Sequence, residues 1–463
     1  MHTDFPHHKS GKMVPQHQPH CKQTCFVFTE IADIELPPEI TKLQSEKLNL
    51  AMKSNEIMNG GMASASAIYK NKECLAMGAG QSCHQPQKSP TKGRRLIVIL
   101  CAVLVCVTMA GGIPLILQLR SSSLLEARMS FIRRLLTEAP LIEGSWTNTE
   151  KDSNFSSNII EVRKNLVGAV LWPVTVPCGS QYLDAVQLAV EGIDKAKRLT
   201  SKTGYMRIVE SSDEMEQTHL KGEVAILMGL GGGHTLGSSL GVLRSMYMLG
   251  VRFVSLTSFG CTTPWAGASI KNDLIIEDNS TTNSLTTFGK TVLYEMNRLG
   301  MLVEISQMSE TAMITTLKTA RAPVLLINAA PLSLCNSTNL ASIPDHILSL
   351  LQDNGGVIML NMEKCGDRPL TIREAINAIN YVRKVAGVDH IGLSGAPKSY
   401  TFLLAELARD RVWGNAAIKK LVGGNVVRIL REIETLKDRL PLYENWLPRK
   451  VFERNSYCRY EDN

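Results

Sequence analysis

Side chains able to bind a metal or move a proton are spread unevenly along this 463-residue chain. His7, His8, His17, His20, Cys21 and Cys25 crowd the N-terminal end. Structural zinc is held by Cys and His at set spacings. These residues match no such spacing and sit in low-complexity surroundings, so they read as a solvated tail. Beyond position 92 the only histidines are His219, His234, His346 and His390. His234 directly follows a run of glycines, where packing or hydrogen bonding is the expected role. Ser145, Ser258 and Ser306 close short apolar runs, a place where a hydrolase nucleophile can stand. No nucleophile-elbow motif surrounds them, however, and no histidine follows a strand end nearby.

The elements that carry these residues begin late. Residues 1–92 mix His, Gln, Met, Ser and Lys without a sustained period and cannot bury enough apolar surface to offset chain entropy, so they are expected to be a disordered tail. Leu96 to Leu117 then runs without a charged side chain. At about 1.5 Å per residue it is long enough to cross about 30 Å of hydrocarbon. It starts too far from Met1 and is too long for a cleaved signal peptide. Lys88, Lys92, Arg94 and Arg95 precede the run and only Arg120 follows closely, which predicts a cytoplasmic N-terminus and a C-terminal domain on the extracellular or lumenal side, a type II arrangement. A juxtamembrane helix is expected over 118–138.

Cysteine use agrees with that topology. Cys178, Cys261, Cys335, Cys365 and Cys458 lie beyond the run. An odd number in an oxidising compartment predicts two internal bridges and one cysteine left for a partner chain. Cys101 and Cys106 fall inside the run and read as membrane-facing thiols. Asn154, Asn279 and Asn336 open glycosylation sequons on the same side. The net charge of +7 comes without a basic stripe interleaved with aromatics, so nucleic acid is not an expected partner.

From 139 to 463 short apolar runs alternate with longer helix-like segments, the pattern of a parallel α/β fold. The runs are 140–144, 166–172, 224–230, 252–257, 302–306, 323–327, 357–362 and 390–394, and a (β/α)8 barrel is their natural closure. In a barrel of this kind chemistry collects at the C-terminal ends of the strands.

Two stretches are more specific. Gly229-Leu230-Gly231-Gly232-Gly233-His234-Thr235 continues through Ser238-Ser239-Leu240-Gly241-Val242-Leu243-Arg244 to Leu256-Thr257-Ser258 and Thr263-Pro264-Trp265. It resembles the membrane (renal-type) dipeptidase family, whose version reads G-V-E-G-G-H-S, S-S-L-G-V-L-R, L-T-H and N-T-P-W. Glu295-Met296-Asn297-Arg298-Leu299-Gly300-Met301-Leu302-Val303 and Arg321-Ala322-Pro323-Val324 are similar to that family's E-L-N-R-L-G-V-L-I and R-A-P-V-I. The likeness runs from about Arg133 to Cys458.

The resemblance implies a two-zinc peptidase, and it also locates the positions where such a centre keeps its ligands. The family's H-x-D after the first strand falls on Ser145 and Thr147. Its bridging glutamate falls on Gly231, and its two later histidines fall on Gln307 and Asn328. The histidine of L-T-H becomes Ser258, a substrate-binding arginine becomes Thr338 and a proton-shuttling aspartate becomes Ala396. Paired zinc ions need anionic oxygens and imidazoles, and hydroxyls and amides replace neither. The resemblance further implies the pairings Cys178 with Cys261 and Cys335 with Cys365, with Cys458 joining two subunits. The expectation is a membrane-anchored barrel that binds no zinc, hydrolyses no dipeptide and works as a disulfide-linked homodimer or as a heterodimer with an active relative. The alternative is a working zinc dipeptidase.

Overall fold

The computed structural model describes residues 92–107, 113–144, 160–258, 261–269, 283–336, 341–395, 397–437 and 439–440. Eight parallel strands close on themselves. They are β1 (Leu141–Glu143), β2 (Val167–Val174), β3 (Val224–Leu230), β4 (Phe253–Ser255), β5 (Leu302–Glu304), β6 (Val324–Pro331), β7 (Val357–Asn361) and β8 (Ile391–Ser394). Their order is β2-β1-β8-β7-β6-β5-β4-β3, and pairing of β2 with β3 completes the ring. Strands covered on both faces read as continuous apolar runs, and β3 is buried at every position. All eight runs expected from the sequence are barrel strands.

Two further strands pair at the sheet and were not expected. Met206–Val209 lies alongside the lower half of β3, and Ala341–Ile343 extends β6. Both are short and carry polar, partly exposed residues, Arg207 and Ser342, inside them.

The core has two layers. Inside the barrel Ile142, Leu171, Phe253, Leu302, Leu325 and Met359 form one cluster. Its lower end is closed by the last described helix, Asn425–Lys437, through Val426, Val427, Ile429, Leu430 and Ile433. The second layer lies between the strands and the outer helices and includes Val170, Trp172, Ile226 and Leu393. Outer helices start at the mouth with side-chain caps that satisfy free N–H groups. Thr286 accepts from Gly289, Ser309 from Ala312, and Thr371 forms a capping box with Glu374.

At the other end of the described chain stand α1 (Lys92–Val107) and α2 (Ile113–Glu138), with 108–112 between them outside the described residues. Among the described residues no helix is long and apolar enough to cross a membrane. α2 begins inside the apolar run, and its single proline, Pro114, sits in the first turn, where a missing N–H removes no helical bond. The C-terminal half of α2 belongs to the barrel domain: Ile132, Leu135 and Leu136 are buried in its outer layer. The tail over 1–91 lies outside the described residues.

Candidate functional site

The strand ends at the mouth are held by two buried glutamates. Glu143 closes β1; its Oε1 accepts from the Gly395 N–H at 2.7 Å and its Oε2 from the Tyr400 hydroxyl at 2.7 Å. It thereby fixes the turn after β8. Glu304 closes β5, and its Oε1 accepts from the Ser306 N–H at 2.8 Å, from the Ser306 hydroxyl and from the Ile327 N–H at 3.3 Å. Burial pushes the Glu304 carboxyl up from its ordinary value, against opposing hydrogen bonds from Ser306 and Ser255. Each carboxyl is occupied in holding backbone.

Sequence reasoning did not single out these two residues. Their signal is a lone acidic residue closing an otherwise apolar run, in Leu141-Ile142-Glu143 and in Leu302-Val303-Glu304.

Gly231 follows β3 and donates its N–H to the Val174 carbonyl at 2.8 Å. A Cβ placed there would lie 2.9 Å from the methyl of Thr175, the residue after β2. Gly233 is more tightly constrained: a Cβ would lie 2.3 Å from the Leu256 carbonyl oxygen and 2.7 Å from the Trp265 ring. The glycine loop is therefore wound against β4 and the segment after it.

Asn328 stands in a left-handed conformation at φ 55°, at a register shift between β6 and β7. Bulges of this kind re-aim a side chain beside functional sites, and a non-glycine residue held in that region is characteristic of them. Its Oδ1 accepts from the Asn361 Nδ2, while the Asn361 Oδ1 accepts from the N–H groups of Glu363 and Lys364 at 2.9 and 3.0 Å. Asn328 is thus paired with Asn361 on the neighbouring strand. Gln307 is half-buried after β5, and its carbonyl accepts from the Ser269 N–H at 2.8 Å. Ser258 is half-buried and bridges to Cys261. The Ser306 hydroxyl is committed to Glu304. Ser145, Thr147, Thr338, Ala396, Asn154, Asn279 and Cys458 lie outside the described residues. Asn336 is exposed.

His234 is buried, with Nε2 3.1 Å from the Val176 carbonyl and Nδ1 without a partner. Burial lowers its pKa, opposed by the hydrogen bond to that carbonyl. His219 lies over Gly168, where a Cβ would fall 2.4 Å from its Nδ1, and burial lowers its pKa too. His390 bonds the Gly356 carbonyl at 2.7 Å and His346 pairs with Glu310 at 3.1 Å. Among the described residues no three His, Cys, Asp or Glu side chains group together as a metal would require. Cys178–Cys261 and Cys335–Cys365 are bonded, with Cα separations of 5.6 and 5.7 Å, as the resemblance implied.

These strand ends belong to a closed parallel (β/α)8 barrel with a glycine-wound loop after β3 and a bulged β6. Residues 119–444 match the model of the membrane dipeptidase family, peptidase family M19. Dipeptidase 3 of Rattus norvegicus is 34% identical over 338 residues, covering 66% of this chain and 67% of the rat protein. Human Dipeptidase 3 is 33% identical over 308 residues, 63% of this chain and 61% of the human one. Among solved structures, the probable dipeptidase PvdM from Pseudomonas aeruginosa superposes with a TM-score of 0.60 at 19% identity, covering 67% of this chain and 99% of that one. A metallo peptidase from Rhodobacter sphaeroides, liganded with a phosphinate mimic of L-Ala-D-Ala, gives 0.54 at 15% identity, with 64% and 99% covered. The chain belongs to the membrane dipeptidase family of zinc metallopeptidases.

Proposed function

We propose that this chain is a membrane-anchored member of the family that has lost its zinc ligands and acts by binding rather than by hydrolysis. The observation that carries the reading is the donor set at the mouth. Where the family keeps a bridging carboxylate this chain has Gly231, with the Thr175 methyl against the space. Where it keeps histidines the chain has Gln307 and the Asn328 amide, the latter already bonded to Asn361. The carboxylates that remain nearby, Glu143 and Glu304, are consumed by backbone and hydroxyl donors. A pair of divalent ions needs anionic and imidazole ligands, and these residues do not fit it.

Anchoring is supported by α1, where Ile97, Ile99, Leu100, Val103, Leu104 and Val105 are exposed. A continuous stretch of exposed aliphatic side chains is a surface that a bilayer covers. Cys458 is proposed to join two chains, in a homodimer or in a heterodimer with an active relative.

The competing reading, a working zinc dipeptidase, draws on the likeness to the Dipeptidase 3 proteins. Thermal unfolding with and without a strong chelator separates the two. The proposal expects an unchanged melting temperature, because neutral side chains replace charges that need an ion between them. A large chelator-induced drop contradicts it, since a bound metal stabilises in proportion to its affinity.

A further inference from the structure

The direction in which α2 leaves the barrel fixes which face of the domain looks at the membrane. α2 ends at Glu138 and enters β1 through Ala139 and Pro140, so its C-terminus lies at the base of the barrel. Alongside it packs the helix Tyr400–Leu407, which follows β8 and therefore descends from the mouth. Tyr400 marks the level of the mouth, because its hydroxyl donates to Glu143 at the end of β1. Two ion pairs show that α2 descends in the same sense: Arg128 meets Glu406 at 3.1 Å, and further down Glu138 meets Lys419 at 2.8 Å.

α2 continues unbroken back to Ile113, so its N-terminal end, which belongs to the apolar run, lies on the mouth side of the barrel.

We propose that the barrel mouth faces the bilayer, because α2 enters the domain from the mouth side. This rests on the proposed anchoring, and it concerns the same mouth as the proposed function.

The test uses the full chain in lipid nanodiscs whose headgroups carry an acceptor dye. A fluorescent amino acid is placed either at Leu183, 70% exposed in the loop after β2 and hence at the mouth, or at Met248. Met248 is 81% exposed at the end of a helix that descends to the base just before β4. The two levels differ by about 23 Å, the rise of a seven-residue strand such as β3. Energy transfer to the headgroups is expected to be severalfold stronger from position 183 than from position 248. Equal or reversed transfer in chains retained by the nanodisc overturns the orientation and leaves the anchor standing. A chain that fails to co-purify with nanodiscs overturns the anchor and the orientation together.

Discussion

Glu304 offers the sharpest perturbation, because one oxygen of a fully buried carboxyl serves three donors. Glu304→Ala removes that acceptor and strands the N–H groups of Ser306 and Ile327 away from water. At about 1–3 kcal/mol for each unsatisfied buried group, the loss is about 2–6 kcal/mol before any cavity is counted. Glu304→Gln keeps an oxygen in place for the same donors and presents an amide to Ser255, so near-neutral stability is expected at acid pH.

The two forms differ in pH dependence. Burial holds the folded-state pKa of Glu304 above the ordinary glutamate value. Its contribution is therefore present below the ordinary carboxylate range and lost as pH rises through the raised value, at about 1.4 kcal/mol for each pH unit separating the folded and unfolded values. Glu304→Gln, which imitates the protonated acid, removes this component of the slope. Urea unfolding of the full chain in mild detergent, followed through the buried Trp172, Trp265 and Trp413, measures it. The reasoning fails if Glu304→Ala unfolds at the wild-type midpoint, or if the wild type gains more stability than Glu304→Gln between mildly acid pH and neutrality.

Two other substitutions test neighbouring parts of the account. Gly233→Ala forces a Cβ against the Leu256 carbonyl and Trp265 and should destabilise by about 1–3 kcal/mol or more, read by the same unfolding curve; wild-type stability would mean that the loop is less tightly wound than described. Cys458→Ser should convert a covalent dimer to a monomer on non-reducing electrophoresis, and a dimer that survives the change rules out that cysteine as the link.

The barrel was legible because each strand is buried on both faces and so reads as an unbroken apolar run, as in Val224–Leu230. Met206–Val209 was not, since four residues containing an exposed Arg207 give no period to follow. Gly231, Gln307 and Asn328 were located only through the resemblance to the dipeptidase blocks, since glycine and amides advertise no chemistry of their own. The partners that define the mouth were out of reach: Glu143 and Gly395 stand 252 residues apart, and no spacing rule joins them. The partner of Asn328 likewise depends on which strand adjoins β6, and ring closure sets that.

The central claim is that this barrel holds no catalytic metal centre, and metal analysis of the purified full chain, paired with a dipeptide hydrolysis assay in the presence of added zinc, tests it most directly. The account predicts substoichiometric zinc and no turnover. Two zinc ions per chain together with dipeptide cleavage would contradict it.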